Sequence, residues 1–344
     1  MKKILMIKFL ALSTLVLFAF AANAKGITPV VVIHGGTSGM KLTQEDFEKR
    51  VPGMEKALKA GQAVLNAGGT AEDAVIATIV VLEDDPAFNS GKGSVFNAAG
   101  ENELDASLMD GATKKAGAVA GAKHIKNPIK AAKVVKDTTW HTLIAGDGAD
   151  KLAKANGLEM VDQKYFYTEA RFQQLLQAKE KAGDKTFIDH EKIKKQSMAN
   201  PAEQYLGTVG ALALDKNGNL AAGTSTGGMT NKMAGRIGDS PIIGSGTYAD
   251  NEGLAISCTG SGDIFMRVNA AHEANALYKY KDMTPEQAAQ GSVDQVKALG
   301  GRGGIVALDA KGVVGFGWTK QDLGMYRGVA RGDAAPEIFF PVAK

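Results

Sequence analysis

Residues 208–226 read Thr208-Val209-Gly210-Ala211-Leu212-Ala213-Leu214-Asp215-Lys216-Asn217-Gly218-Asn219-Leu220-Ala221-Ala222-Gly223-Thr224-Ser225-Thr226. The stretch reads as a β-hairpin. Thr208 to Leu214 is apolar, Asp215 to Gly218 carries the Asn-Gly turn signal, and Asn219 to Thr226 runs back. The design recurs near the C-terminus, where Ile305-Val306-Ala307-Leu308 and Val313 to Trp318 flank Asp309-Ala310-Lys311-Gly312. Helices fit Asp263 to Tyr278 and Pro285 to Leu299. Strands joined by hairpins and mixed with helices point to antiparallel sheet packed with helices, an α+β class, rather than a doubly wound parallel sheet.

Upstream, Val30 to Ile33 is strand-like and ends in His34-Gly35-Gly36. Glu45 to Asn66 reads as one amphipathic helix. Thr70-Ala71-Glu72-Asp73 is a helix start, with a capping threonine and acids in the first turn, and that helix runs to about Asp84. Asp85 to Gly93 is a loop, Leu104 to Met109 a strand, and Asn127 to Lys136 and Gly146 to Asn156 are helices. From about 163 to 207 the chain turns polar and lysine-rich; helix fits Ala170 to Lys181, and the latter part reads as a linker.

Lys2, Lys3 and Lys8 account for the formal charge of +3, so the chain after residue 24 is neutral and a basic nucleic-acid-binding body is excluded. Met1-Lys2-Lys3, the apolar run Phe9 to Ala22 and Ala22-Asn23-Ala24 form a secretory signal with its cleavage site, giving a signal peptide over 1–24 and a mature start at Lys25. No later stretch has membrane-spanning character. A periplasmic destination, with no membrane association after signal removal, follows as the expectation. Glycine makes up 42 of 344 residues, about 12% against a usual 7%, without a collagen period.

One cysteine, Cys258, cannot form an internal disulfide, and its apolar setting reads as a buried strand rather than a nucleophile. Gly91-Lys92-Gly93-Ser94 lacks the phosphate-loop spacing, and Gly244-Ser245-Gly246 and Gly260-Ser261-Gly262 lack the third glycine of a dinucleotide site. His272-Glu273 has no second histidine four residues on. No organic cofactor is expected.

A long ordered block does carry chemistry. Gly207-Thr208-Val209-Gly210 follows the linker. Then come Gly223-Thr-Ser-Thr226-Gly-Gly-Met-Thr-Asn231, Gly235-Arg236-Ile-Gly-Asp239-Ser-Pro241, Gly244-Ser-Gly-Thr-Tyr-Ala-Asp250 and Cys258-Thr259-Gly260-Ser-Gly262-Asp263. With Ile33-His-Gly-Gly36, Leu104-Asp-Ala-Ser-Leu-Met-Asp-Gly111, Gly300 to Gly304 and Gly324 to Arg327, this block resembles the plant-type L-asparaginase/isoaspartyl peptidase family. These are threonine hydrolases whose nucleophile is an N-terminal residue, and the resemblance covers nearly all of the chain after residue 24.

The resemblance implies a four-layer αββα sandwich, made as a precursor that cuts itself between Gly207 and Thr208. One folded domain is then formed from an α subunit (25–207) and a β subunit (208–344), paired as (αβ)₂. A threonine hydroxyl needs an adjacent base, and cleavage frees an α-amine of pKa about 8 to serve. By position, Thr226 matches the threonine supporting the nucleophile, and Thr259 with the Gly260 N–H the oxyanion hole. Arg236 matches the grip on a substrate α-carboxylate and Asp239 the partner of its α-ammonium; Gly262 and Asn89 match further substrate-side positions. Backbone carbonyls of Leu82, Glu83, Asp85, Phe88, Ser90 and Lys92 match a structural sodium loop. The implied reaction is hydrolysis of the β-amide of L-asparagine and of isoaspartyl dipeptides. Here Thr259-Gly-Ser-Gly-Asp263 stands where the family more often has Thr-Gly-Thr-Gly-Glu, and Gly260 to Arg267 is also similar to glycosylasparaginases. Action on an N-linked sugar–asparagine, or a non-catalytic uncleaved protein, are the alternatives.

Overall fold

The computed structural model describes residues 26–39, 43–182, 207–320 and 323–339. The signal peptide, the start at Lys25 and linker residues 183–206 lie outside them. Among the described residues twelve strands form two sheets. The larger runs β12 (Glu337–Phe339), β11 (Leu323–Arg331), β1 (Val30–Gly39), β5 (Val209–Leu214), β6 (Leu220–Thr226), β2 (Leu104–Asp110), β3 (Ala116–Ala122), β4 (Leu143–Ala145). The smaller runs β10 (Val314–Trp318), β9 (Gly303–Asp309), β8 (Leu254–Gly260), β7 (Thr247–Ala249). Every pairing is antiparallel except β3 with β4.

Alternation along the strands sorts side chains into layers. Val31 and Ile33 of β1 pack with helices α2 (Val51–Asn66) and α3 (Ala71–Asp84), whereas Val30 and Val32 face Val306 and Leu308 of the smaller sheet. The smaller sheet's other face packs on α7 (Gly262–Val268), α8 (Ala270–Lys281) and α9 (Pro285–Ala298). Three stacked apolar cores thus separate four layers, the αββα sandwich.

Local signals hold where they are strong. Thr70 accepts from the Asp73 N–H at the start of α3, and Thr284 and Gln287 form a reciprocal capping box at α9. Both expected hairpins share one turn. Asp215 and Asp309 each accept two backbone N–H bonds through Oδ1, and Gly218 and Gly312 take φ of +83° and +81°. Asn217 stays at negative φ, so the turn is the three-residue kind, with the left-handed residue last.

Two helices read as continuous are broken. Glu45 to Asn66 splits into α1 (Gln44–Glu48) and α2, because Pro52 lacks the N–H that would continue the ladder. Asp263 to Tyr278 splits at Asn269, whose left-handed φ of +49° ends α7 and starts α8. Helices α4 (Pro128–Thr138), α5 (Gly146–Ala155) and α6 (Glu169–Lys181) are the remaining α-helices among the described residues. The polar stretch that begins at about 163 is folded through 182, with the expected helix at Glu169–Lys181 and with Phe166, Arg171 and Leu175 buried.

Candidate active site

The hairpin β5–β6 places two threonines side by side. Val209 pairs with Ser225, which sets Thr208 next to Thr226, and Thr208 Oγ1 donates to Thr226 Oγ1 at 3.0 Å. Thr226 Oγ1 also accepts from the Gly228 N–H at 2.9 Å. The two residues share a cavity with Arg236, Asp239, Ser240 and Gly260.

Gly260 ends β8 at φ +150°, and a Cβ there would collide with the Arg302 carbonyl oxygen, so only glycine fits. Beside it, Thr259 is fully buried, and its Oγ1 has no hydrogen-bond partner among the described residues. An unpartnered buried hydroxyl is costly unless something else meets it. Ser240 Oγ and Asp239 Oδ2 are buried and unpartnered in the same sense. Nothing in residue type singled out Ser240; its place after Asp239 was the only signal.

Arg236 Nη2 donates to Asp263 Oδ2 at 2.6 Å, so its ion pair is with the first turn of α7 and not with Asp239 three residues on. A guanidinium has five N–H donors, and this contact engages one edge of the fork. Burial pushes the Asp239 carboxyl up to about 7, against the opposing pull of the Arg236 charge. Gly262 closes the corner, where a Cβ would meet Asp239 Oδ1 at 2.6 Å and Arg236 Nη2 at 3.0 Å.

The loop carrying Arg236 is held from the N-terminal half of the chain. Asn89 donates through Nδ2 to the Gly228 carbonyl at 2.7 Å and accepts the Val95 N–H through Oδ1 at 3.0 Å. Its amide is therefore occupied with backbone, and Asn89 lines a different cavity, with Gly207, Arg50 and Arg171. Lys232, buried against Gly228, donates to the Glu103 carbonyl at 2.9 Å, and the Glu103 carboxylate accepts the Gly235 N–H. Burial lowers the Lys232 pKa.

Behind the hairpin, Ser225 Oγ donates to Glu83 Oε1 at 2.7 Å, and burial raises that carboxyl to about 8. Cys258 is buried in the core under α7–α9, and burial raises its thiol well above the ordinary range, in keeping with a core residue. Among the described residues no group of three or more His, Cys, Asp or Glu side chains is arranged to hold a metal ion, and no helix is long and apolar enough to cross a membrane.

A profile of the asparaginase family matches residues 27–340. The isoaspartyl peptidase of Escherichia coli is 42% identical over 302 residues, which cover 87% of this chain and 91% of that protein. The isoaspartyl peptidase/L-asparaginase of Bos taurus is 41% identical, covering 86% of this chain and 92% of its own. The human protein of the same name is 39% identical over similar shares of both chains. With a threonine pair at the head of the hairpin and relatives matched along almost their whole length, this chain belongs to the asparaginase family of hydrolases.

Proposed function

We propose that the chain is a self-processing amidohydrolase that cleaves the β-amide of L-asparagine and of isoaspartyl dipeptides. The observation that carries this reading is the Thr208–Thr226 contact within a cavity that also holds Arg236 and Asp239.

In the precursor, Thr208 Oγ attacks the Gly207 carbonyl carbon. The peptide C–N bond breaks, its nitrogen becomes the Thr208 amine, and water releases Gly207 from the resulting ester. The freed amine, with pKa about 8, then takes the Oγ proton during attack on the substrate. Arg236 meets the α-carboxylate and Asp239 the α-ammonium, which leaves the β-carbonyl for Thr208. The Thr259 hydroxyl and Gly260 N–H receive the developing oxyanion, where fixed donors are worth about 3 kcal/mol each. The amine or ammonia departs with the transferred proton, an acyl ester remains on Thr208, and water releases aspartate.

The proposal extends to export by the N-terminal signal to the periplasm and to assembly as (αβ)₂. The proposal includes a structural sodium at the loop after α3. The Glu83 carbonyl oxygen faces Gly91, and those of Pro86 and Phe88 face Gly93, each so close that a Cβ would collide with oxygen. Carbonyls of Leu82, Glu83, Asp85, Phe88, Ser90 and Lys92 would hold the ion, which would offset the negative end of α3.

Intact mass and N-terminal sequencing test the reading. Two chains meeting at 207/208, with threonine first in the second, are expected. One uncut chain after long incubation would overturn it and favour a non-catalytic protein. Faster turnover of a glycosylated asparagine than of an isoaspartyl dipeptide would move the substrate assignment.

A further inference from the structure

A buried chain of polar side chains ends on the nucleophile residue. His34 lies on the inter-sheet face of β1, fully buried. Its Nδ1 is 3.0 Å from the Thr208 carbonyl oxygen and its Nε2 is 2.8 Å from Ser257 Oγ on β8. Ser257 Oγ is 2.6 Å from Thr224 Oγ1 on β6. Thr224 Oγ1 accepts from Thr247 Oγ1 on β7 at 2.6 Å, and Ser107 Oγ on β2 lies 2.7 Å from Thr247.

The Thr208 carbonyl at one end orders the protons as far as Thr224, whose Oγ1 also lies 3.1 Å from the Gly246 carbonyl oxygen. A carbonyl can only accept, so His34 must carry its hydrogen on Nδ1. Burial lowers its pKa to about 3, so the ring is neutral and Nε2 is a bare acceptor. Ser257 must then donate to His34, and Thr224 to Ser257. The chain joins both sheets, and β5 makes room for it at Gly210, where a Cβ would collide with Ser257 Oγ and His34 Nε2.

Thr208 needs such a support. It precedes the first paired residue of β5 on both sides, Val209 opposite β6 and Gly210 opposite β1. Once the 207–208 bond is cut, one of its two covalent tethers is gone, while its hydroxyl must still meet the substrate carbonyl.

We propose that His34, held in its Nδ1–H tautomer by Ser257 and Thr224, is a positioning residue that fixes the Thr208 peptide plane and thereby aims the nucleophile. The proposal rests on the hydrolase reading above.

Two measurements test it on the full chain. The first is a long-range ¹H–¹⁵N spectrum of protein labelled at its five histidines, with His34 assigned from the His34→Asn variant. A protonated Nδ1 and a bare Nε2 are expected, with the Nε2 signal shifted in Ser257→Ala. A protonated Nε2 overturns the proposal whether or not the chain is cut. The second is kinetics on cut enzyme. The side-chain amide introduced by H34N reaches the Nδ1 position and keeps a donor toward Thr208, whereas that of H34Q reaches the Nε2 position and keeps only the acceptor for Ser257.

H34Q is expected to lose about 100-fold in kcat with KM little changed, the scale of a misplaced reacting group, and H34N to recover most of that loss. Ser257→Ala, which removes one oxygen, stands in where H34Q fails to fold, and should lower kcat by about tenfold at constant KM. Folded H34Q with wild-type kcat, H34N as impaired as H34Q, or losses confined to KM would each overturn it. Failure of the wild-type chain to cut or to turn over substrate would instead overturn the hydrolase reading, and the spectrum would still decide the ordering of the chain.

Discussion

Two cavities meet at the 207–208 peptide bond, and they differ in charge. Gly207 lines one, with Arg50, Arg171, Ser38 and Asn89. Thr208 lines the other, with Arg236, Asp239 and Gly260. Among the described lining residues the first has cationic side chains without a carboxylate. The second sets one cation beside one anion, as a zwitterionic amino-acid head requires. The two cavities teach that the 207–208 bond, where we propose cleavage, is also a partition. Gly207 stands on one side, and the charged pair of Arg236 and Asp239 is collected on the other.

The largest effect should come from removing the proposed nucleophile. Thr208→Ala is expected to leave a single chain by intact mass and to lower hydrolysis on the order of 10⁴-fold or more. Normal turnover by that variant would end the division of roles. Next is Thr259→Val, which keeps the shape and deletes the unpartnered hydroxyl. Steady-state kinetics should give kcat lower by about 10²- to 10³-fold with KM little changed.

Arg236→Lys removes the fork and its bond to Asp263. A rise in KM of roughly 10- to 100-fold is expected from the loss of a charge-assisted pair, and an unchanged KM would separate Arg236 from substrate. The acid limb of kcat/KM sharpens the same point. The Asp239 carboxyl has its pKa raised to about 7, so it gains a proton, and loses its hold on an ammonium, as pH falls through about 7. The amine of Thr208 is protonated near 8, so the limb should steepen below 7, and Asp239→Asn should remove that steepening while lowering the overall rate.

The smallest effect belongs to the other cavity. Arg50 donates to the Asp46 carbonyl and to the Tyr326 hydroxyl and stacks on the Tyr326 ring. Arg50→Met should leave kcat/KM of the cut enzyme within about a factor of two. A loss comparable to that of Arg236→Lys would mean that the two cavities act as one.

The placement of the two threonines was legible, because it follows from the order of residues along the chain. The Asn-Gly turn pairs β5 with β6 in one register, and that register puts Thr208 beside Thr226. The capping threonine Thr70 marked the start of α3. Strand β3, Ala-Gly-Ala-Val-Ala-Gly-Ala, was not legible, because small residues on a strand buried on both faces give no alternation. The Arg236–Asp263 pair was not legible either, since a local reading offers Asp239 first. Asn89 was matched to a substrate-side position, yet only its occupied amide reveals that it holds the Gly228 loop.

By itself, the sequence determined the mixed antiparallel class and the hairpin with its threonines, while amide hydrolysis followed from the family resemblance of the ordered block. The class and the hairpin depend on neighbours in the chain: turn chemistry, alternation and short spacings act within a few residues. Tertiary structure alone decided which groups share the cavity, that Thr259 Oγ1 and Asp239 Oδ2 are left without partners among the described residues, and that His34 reaches the Thr208 carbonyl from 174 residues away. Those outcomes depend on burial and on two sheets stacking face to face. Desolvation and the direction of a hydrogen bond exist only once distant strands have met.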